Sequence, residues 1–352
     1  METTSQGSGA APAAMTPDGT IFQILNGKMT LFALGGVARL GVADHVTDQA
    51  RPVEELAAAC HAHAPSLYRA MRLLATVGVF EEHPGRRFAA TPATQLLRST
   101  GPSLRDMVLM VTDPWSVQSY QQMTHCLQTG RNGVTAAFGK QLFELLPDDP
   151  VQRAHFHGAM SGTGHVFGKA LLKVADFSRF RRMADVGGGH GLLLGLILNR
   201  FPSLEGVLFD LLAVVAGAPG SGYLRGVENR VTIEGGSFVE TIPVGCDAYI
   251  MKFIIHDWDD DNARRILTRA REQLATTAPE TGRVFLVEMV VPDDTVPHFS
   301  KYLDIEMLIC AEGGRERTAG EFGELLAAAG LRLRSVTPTP SPMSLIEAEI
   351  AE

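Results

Sequence analysis

Asp185-Val186-Gly187-Gly188-Gly189-His190-Gly191 links a short apolar segment to a longer one. Residues 183–186 are typical of a buried strand, and residues 191–199 are typical of a helix. Asp210 ends the next apolar segment, 19 residues after Gly191. A strand, a glycine turn, a helix and a following acid form the pattern with which α/β proteins bind nucleotides. These residues therefore predict a site for a nucleotide-like cofactor.

Strand-like and helix-like segments continue to alternate after this motif. Further strands are predicted at residues 206–209, 231–233, 248–252 and 284–290, and a helix is predicted at residues 261–274. Such alternation indicates an α/β domain with a doubly wound parallel sheet. We place this domain at residues 181–352.

The front of the chain has a different pattern, which is typical of a winged helix. Residues 53–60 and a segment that begins near Ser66 predict two helices, and two short strands flank a turn at residues 83–86. A winged helix can bind DNA or pair subunits. The DNA-binding interpretation would use four arginines as phosphate contacts, namely Arg69, Arg72, Arg86 and Arg87.

These patterns predict four parts of the chain. Residues 1–19, which are rich in Ser, Gly, Ala and Thr, are expected to form a disordered leader. Residues 20–100 form the winged-helix domain, and residues 101–180 form a helical connector or substrate lid. The sheet domain follows at residues 181–352.

Charge and composition exclude several classes of protein. The 352 residues carry a formal net charge of -8, which disfavours nucleic acid as a partner because phosphate binding needs clustered Lys and Arg. The longest apolar run, residues 192–198, is far shorter than the ~20 residues of a membrane span. The four cysteines form no CxxC pair, so we expect reduced thiols and a cytoplasmic protein.

The glycine spacing bears on the kind of cofactor. A dinucleotide-binding turn has the pattern GxGxxG, which admits a pyrophosphate, whereas Gly187, Gly189 and Gly191 give GxGxG after an acid. This spacing favours a cofactor with an amino acid tail. An NAD-dependent oxidoreductase remains as an alternative at this point.

Three motifs resemble one enzyme family. The glycine motif is accompanied by Met-Lys-Phe-Ile-Ile-His-Asp-Trp at residues 251–258 and by Gly-Gly-Arg-Glu-Arg-Thr at residues 313–318. Together they resemble the S-adenosylmethionine (SAM)-dependent small-molecule O-methyltransferases, both the plant caffeate and isoflavone type and the bacterial natural-product type. The resemblance implies a class I methyltransferase sheet of the Rossmann-like kind, preceded by a mostly helical winged-helix domain that forms a homodimer.

The resemblance also implies the catalytic groups. His256 would be the general base, flanked by Glu288 and Glu316, one of which would hold the imidazole tautomer. Methyl transfer to a phenol requires removal of the phenolic proton. With a phenol pKa near ~10 and a histidine pKa near ~6.5, that transfer costs about 5 kcal/mol, against about 8 for a carboxylate. An imidazole is therefore the better base.

The cofactor and its product, S-adenosylhomocysteine, would contact residues from four segments. By resemblance, Asp210 would bind the ribose hydroxyls, Leu211 would lie against the adenine, and Ser237 stands where the family usually has Asp. The full set of expected cofactor residues is Asp185, Gly187, Gly189, Asp210, Leu211, Ser237, Phe238, Lys252 and Trp258.

A small aromatic, polyketide-like acceptor is the expected substrate. Its pocket would be lined by Trp115, Phe156, Met160, Met307 and Ala311, of which Ala311 replaces a polar Asn of the plant enzymes. No metal is expected, because the acidic run at residues 257–261 is interpreted as helix capping. A family member that binds SAM but catalyses another tailoring reaction remains as the second alternative.

Overall fold

The computed structural model describes residues 16–101 and 103–351, which fall into two compact units divided between Thr112 and Asp113. The boundary therefore lies 12 residues after the predicted end of the winged-helix domain at residue 100. The first 15 residues of the expected leader lie outside the described residues. Its last residues are helical, because Thr16 caps the first helix by accepting from the Gly19 amide and Pro17 occupies the first turn.

The first unit has five helices and a small sheet among its described residues. The helices are α1 (Pro17–Arg39), α2 (Val53–Ala59), α3 (Ala64–Ala75), α4 (Pro92–Gln95) and α5 (Arg105–Val111), and the strands are β1 (Arg51–Pro52), β2 (Phe80–His83) and β3 (Arg87–Ala90). The strands are antiparallel in the order β1-β3-β2. Helices α2 and α3 with the β2–β3 hairpin form the expected winged helix, whose core includes Leu56, Met71 and Phe88.

The arginines considered for DNA binding make contacts within this unit. The guanidinium carbons of Arg72 and Arg86 lie 5.2 and 5.0 Å from the ring centre of Tyr68. Arg87 donates to the Ala50 carbonyl at 3.1 Å. These three side chains therefore stabilise the winged helix itself.

Helix α1 leaves most of its apolar side chains uncovered in a single chain. Ile21, Phe22, Leu25 and Met29 are each more than half exposed. Among the described residues, α1 also has the length and mean hydropathy of a membrane-crossing helix, with only 17% of its apolar window buried. Its apolar residues do not form one uninterrupted run, because Gln23 and Asn26 divide them.

The second unit begins with a helical layer. Its helices are α6 (Pro114–Tyr120), α7 (Met123–Thr129), α8 (Gly133–Phe138), α9 (Leu142–Leu145) and α10 (Pro150–Leu171). Helix α15 (Phe299–Cys310), from much later in the chain, packs against α6, α7 and α8. The helical layer thereby contacts a helix that belongs to the sheet half of the unit.

A seven-stranded sheet forms the rest of this unit. Its strands are β4 (Arg182–Val186), β5 (Glu205–Asp210), β6 (Val231–Gly235), β7 (Ala248–Lys252), β8 (Arg283–Glu288), β11 (Leu331–Pro338) and β12 (Ser344–Ile350), and the remaining helices are α11 (Leu192–Arg200), α12 (Leu212–Val215), α13 (Ala218–Ser221), α14 (Asp260–Thr277) and α16 (Ala319–Ala328). The order is β11-β12-β8-β7-β4-β5-β6, and β12 runs in the direction opposite to the other six strands. This arrangement confirms the predicted doubly wound sheet, with β11 and β12 added.

The sheet has an apolar core on each face. Tyr249, Met251 and Leu286 belong to one core, and Ile250, Phe285 and Val287 belong to the other, as expected for strands whose successive side chains alternate. Strand β4 lies between β5 and β7, so the chain order reverses at this point. Ligands of such sheets bind at the carboxyl ends of the strands beside this reversal.

Two short strands add a second, parallel pair. β9 (Val290–Val291) pairs with β10 (Arg317–Thr318), in the register Val290 to Arg317 and Val291 to Thr318. This pairing holds the end of β8 close to residues 313–318. It was not predicted from the sequence.

Candidate active site

The glycine loop closes over the end of β5. The amides of Gly187 and Gly188 donate to the Phe209 carbonyl at 2.8 and 3.2 Å, and the Gly189 amide donates to Asp210 Oδ2 at 2.9 Å. Gly187 has φ +72, and a Cβ there would lie 2.2 Å from Ile254 Cδ1. A larger residue would therefore force the loop away from Ile254, in the turn that follows β7.

Two carboxylates lie at this edge of the sheet. Asp185 is 1% exposed, and its Oδ2 has no hydrogen-bond partner among the described residues. Burial raises the pKa of Asp185 to about 7, while the positive charge of Lys252 acts in the opposite direction. Burial also raises the pKa of Asp210. An unsatisfied carboxylate oxygen beside a glycine loop fits a ligand that carries a donor or a positive charge.

The other expected cofactor residues surround the same edge. The rings of Phe238 and Trp258 meet edge to face, with centroids 5.9 Å apart. Leu211 is 52% exposed at the start of α12, and Ser237 is half-buried after β6. Lys252 Nζ lies 4.7 Å from the ring centre of Phe253, so its ammonium stays at the end of β7.

The motif at residues 251–258, the candidate catalytic turn, bends tightly after β7. Phe253 has φ +55, an uncommon value for a residue with a side chain. Its ring stacks on the imidazole of His256, with centroids 4.9 Å apart and an interplanar angle of 14°. His256 lies in a single 3₁₀ turn, Ile255–Asp257, and is 6% exposed. The backbone strain at Phe253 therefore accompanies the placement of a buried imidazole.

Three carboxylates face this imidazole. Glu316 Oε1 lies 2.7 Å from His256 Nδ1, and Glu288 Oε2 lies 3.9 Å from the same nitrogen. Asp257 Oδ1 lies 3.5 Å from His256 Nε2. Glu288 uses its other oxygen to accept from the amides of Ile254 and Ile255 at 3.1 and 2.9 Å. The roles therefore divide: Glu316 contacts the ring, and Glu288 holds the backbone of the turn.

The charges of these groups change the acidity of His256. Burial by itself disfavours the imidazolium, but the negative charges of Asp257, Glu288 and Glu316 outweigh it and raise the pKa of His256 to about 9. Burial raises the pKa of Glu288 to about 7, against the opposing charge of His256. The site therefore holds its proton more tightly than a free histidine would.

The same three residues could also hold a cation. Ligand atoms of His256, Glu288 and Glu316 lie within 4.8 Å of one another. The acidic run that follows has other partners: Asp259 caps α14 through the Asn262 amide at 2.7 Å, and Asp260 pairs with Arg317 at 2.7 Å. Of this run, Asp259 therefore caps the helix and Asp260 binds Arg317, whereas Asp257 faces His256.

Arg317 holds the catalytic turn from behind. It is completely buried and donates to the carbonyls of Ile255 and Trp258 at 3.0 and 2.9 Å, as well as to Asp260. The Arg315 amide donates to the His256 carbonyl at 2.8 Å. Backbone and side chain of one segment therefore fix the turn that carries the imidazole.

Only part of the expected acceptor pocket lies beside this turn. Met307 is buried on α15, and Ala311 follows that helix, where a Cβ at Gly314 would lie 2.5 Å from Ala311 Cβ and 2.8 Å from the His256 carbonyl. The described contacts of Trp115, Phe156 and Met160 do not reach the turn. Trp115 is 4% exposed within the helical layer, Phe156 packs on Phe143 at 5.9 Å, and Met160 is 37% exposed.

Comparison with known protein families identifies the family of this chain. Residues 120–332 match the O-methyltransferase domain, and residues 22–100 match the O-methyltransferase dimerisation domain. The chain belongs to the O-methyltransferase family. It is a SAM-dependent O-methyltransferase, so the NAD-dependent alternative was wrong.

Three relatives of this O-methyltransferase illustrate the similarity. Phenazine O-methyltransferase PhzM of Lysobacter antibioticus is 36% identical over 93% of this chain and 95% of its own length. The solved structure of CalO1, a methyltransferase of calicheamicin biosynthesis in its SAH-bound form, has a TM-score of 0.83 at 34% identity and covers 96% of this chain and 100% of its own. NcsB1 from neocarzinostatin biosynthesis, solved with SAM and 2-hydroxy-5-methyl naphthoic acid, has a TM-score of 0.76 at 30% identity, with 91% and 96% coverage.

Sequence reasoning missed several residues of the O-methyltransferase site. Asp257 was treated only as a helix-capping acid, although its carboxylate approaches His256 Nε2. Phe167, on α10, packs edge to face on Phe253 at 5.9 Å, and no sequence signal indicated this contact. Arg317 could have been found from the second arginine of the motif at residues 313–318, since an arginine next to a buried acid needs partners.

Replacement of Arg317 by Met should weaken the fold and the catalytic turn together. Asp260 and two carbonyls each lose a charged donor, so we expect a loss of about 2–3 kcal/mol in the free energy of unfolding. Urea denaturation measures the loss. Arg315→Met is the matched control, since its exposed ion pairs share Asp260 and should contribute less than ~1 kcal/mol. Equal effects of the two substitutions would contradict the role given to Arg317.

Replacement of Glu316 by Gln should shift the pH dependence of methylation. For the wild type, kcat/KM should rise with pH until His256 is free base, with a midpoint near the pKa of about 9. The Gln oxygen still accepts from Nδ1, but the lost negative charge lowers the His256 pKa, so the rising limb should move to lower pH. Rates over roughly pH 6–11 measure this shift. Glu272→Gln, an exposed change on α14, is the control, and an unmoved or upward-shifted limb would contradict the assignment.

Proposed function

We propose that this O-methyltransferase methylates a phenolic hydroxyl of a polycyclic, polyketide-like aromatic metabolite, with His256 as the general base. The observation that carries the proposal is the buried imidazole of His256, 2.7 Å from Glu316, next to the apolar end of α15. The names of the relatives and their bound ligands support the acceptor class, since phenazine and naphthoic acid are polycyclic aromatics. Mass-shift screening of hydroxylated naphthalenes, phenazines and anthraquinones with SAM, for the gain of one methyl group, tests it.

The cofactor site fits SAM. When bound, SAM supplies an electrophilic methyl group on a sulfonium. The glycine loop with Asp185 and Asp210 would hold its amino acid and ribose parts, and Leu211, Ser237 and Phe238 would lie at the adenine. Lys252 and Trp258 complete the set. The unsatisfied Oδ2 of Asp185 supports this assignment.

His256 would take the phenolic proton through Nε2, because Nδ1 is engaged by Glu316. With a pKa of about 9 for His256, the gap to a phenol near ~10 is roughly 1 unit, or about 1.4 kcal/mol. At neutral pH His256 must first lose its own proton. The benefit of the raised pKa is therefore realised only as the pH approaches 9.

The assembly and setting follow from the first unit. Its match to the dimerisation domain supports a homodimer. We propose that the exposed apolar side chains of α1 and its neighbouring helices pair the subunits, and that residues 101–180 form the connector and lid. Neither nucleic acid nor a membrane is proposed as a partner. Four buried free cysteines support a cytoplasmic setting.

Replacement of His256 by Ala should lower kcat for a turned-over phenol by ~100-fold or more, because no base remains to take the proton. Isothermal titration with S-adenosylhomocysteine should show unchanged affinity. His63→Ala, a change in the first unit, is the control for general effects of histidine loss. Unchanged turnover in His256→Ala would exclude general-base catalysis, and methylation would then depend on proximity alone.

Removal of divalent cations should leave methylation unchanged. One oxygen of Glu316 contacts His256, and one oxygen of Glu288 accepts from two amides. The second oxygen of each has no hydrogen-bond partner among the described residues, and we propose that a proton and not a cation balances their charge. Activity is measured after dialysis against EDTA, with and without added Mg²⁺. A loss that Mg²⁺ restores would contradict a metal-independent mechanism.

A further inference from the structure

Glu306 is a carboxylate that the mechanism does not use. It lies on α15, one turn before Cys310, and is half-buried. Tyr120 donates a short hydrogen bond from its hydroxyl to Oε2, and the Cys310 thiol donates to Oε1 at 3.2 Å. Both donors are neutral groups, and the ion pairs found among the described residues do not include Glu306. The carboxylate therefore has two neutral donors and no cationic partner among the ion pairs of the described residues.

Glu306 directly precedes Met307, one of the expected acceptor residues, on α15. Cys310, one turn after Glu306, is the last residue of α15, with Ala311 as the C-cap. Cys310 is buried at this end of the helix. After burial and Glu306, the negative charge of Asp257 also raises the pKa of its thiol. Glu306 is thus one helical turn from Cys310, whose thiol pKa is also raised by the charge of Asp257.

The chemistry of this carboxylate selects among acceptors. A carboxylate offers about four lone-pair directions, and the two known donors use two of them. A hydrogen bond to a charged acceptor is stronger than one between neutral groups. An aromatic molecule with an amino or second hydroxyl group would satisfy the remaining capacity, whereas a carboxylate on the same ring would meet repulsion.

We propose that Glu306 is a specificity residue that binds a hydrogen-bond donor, an amino or second hydroxyl group, on the aromatic acceptor. This inference rests on the proposed function, because it assumes that α15 lines the acceptor pocket. Tyr120 orients the carboxylate by donating to one oxygen. The preferred acceptor is then a ring system with a hydroxyl to be methylated and a donor group elsewhere on its edge.

Four matched compounds test the inference. They are 1-naphthol, 5-amino-1-naphthol, 1,5-dihydroxynaphthalene and 5-hydroxy-1-naphthoic acid, which share a ring and a methylatable hydroxyl. Dissociation constants are measured by isothermal titration with the protein saturated by S-adenosylhomocysteine, and kcat/KM is measured with SAM. The wild type should bind the amino and dihydroxy compounds about 10-fold more tightly than 1-naphthol, and the acid more weakly.

Glu306→Gln should remove most of this preference, because the amide keeps the shape and accepts from Tyr120 but has no charge. Glu324→Gln, an exposed change on α16, should keep the preference. A preference that survives in Glu306→Gln, or equal binding of all four compounds by the wild type, would overturn the inference. Binding preferences that depend on Glu306 without any methylation would instead overturn the proposed function and leave the inference standing.

Discussion

The arrangement of the segments around His256 depends on the hydrogen bond between His256 and Glu316. A buried imidazole among carboxylates is stable only if each charge has partners, because removal from water costs several kcal/mol per ion. Glu288 accepts from two amides of the turn, the Glu316 amide donates to Asp304, and Arg317 covers the carbonyls. The carboxyl ends of β7 and β8, α15 and residues 313–318 must therefore converge on one point.

The sequence predicted the fold and the ionisable residues around His256, and both predictions have a physical basis. Apolar alternation and the glycine turn specify the sheet, and His256 stands directly after an apolar strand, where a ligand-facing group is expected. The sequence could not indicate which acid contacts the ring, because Glu316 and His256 are 60 residues apart and only packing decides between Glu316 and Glu288. The same holds for Phe167, which contacts Phe253 across two elements.

The acceptor residues show the limit of pattern reasoning most clearly. Ala311 lies beside the turn because the motif at residues 313–318 follows it almost directly, so its position was fixed locally. Trp115 and Phe156 lie on helices that are joined to the sheet by long connections, and their apolar character suits a helical core as well as a pocket. A hydrophobic residue in such a layer carries no signal that distinguishes the two uses.

The pairing of β9 with β10 spans only two residue pairs, yet it fixes the positions of Glu288 and Glu316 relative to each other. Glu288 precedes Val290 by two residues, and Glu316 precedes Arg317 by one, so the register of Val290 with Arg317 sets the separation of their carboxylates. The chain between these strands contains α15 and its flanking loops. The residues proposed to face the acceptor can therefore vary between two fixed ends while the geometry proposed for proton transfer stays constant. Such a layout would let one proposed catalytic site serve many aromatic scaffolds.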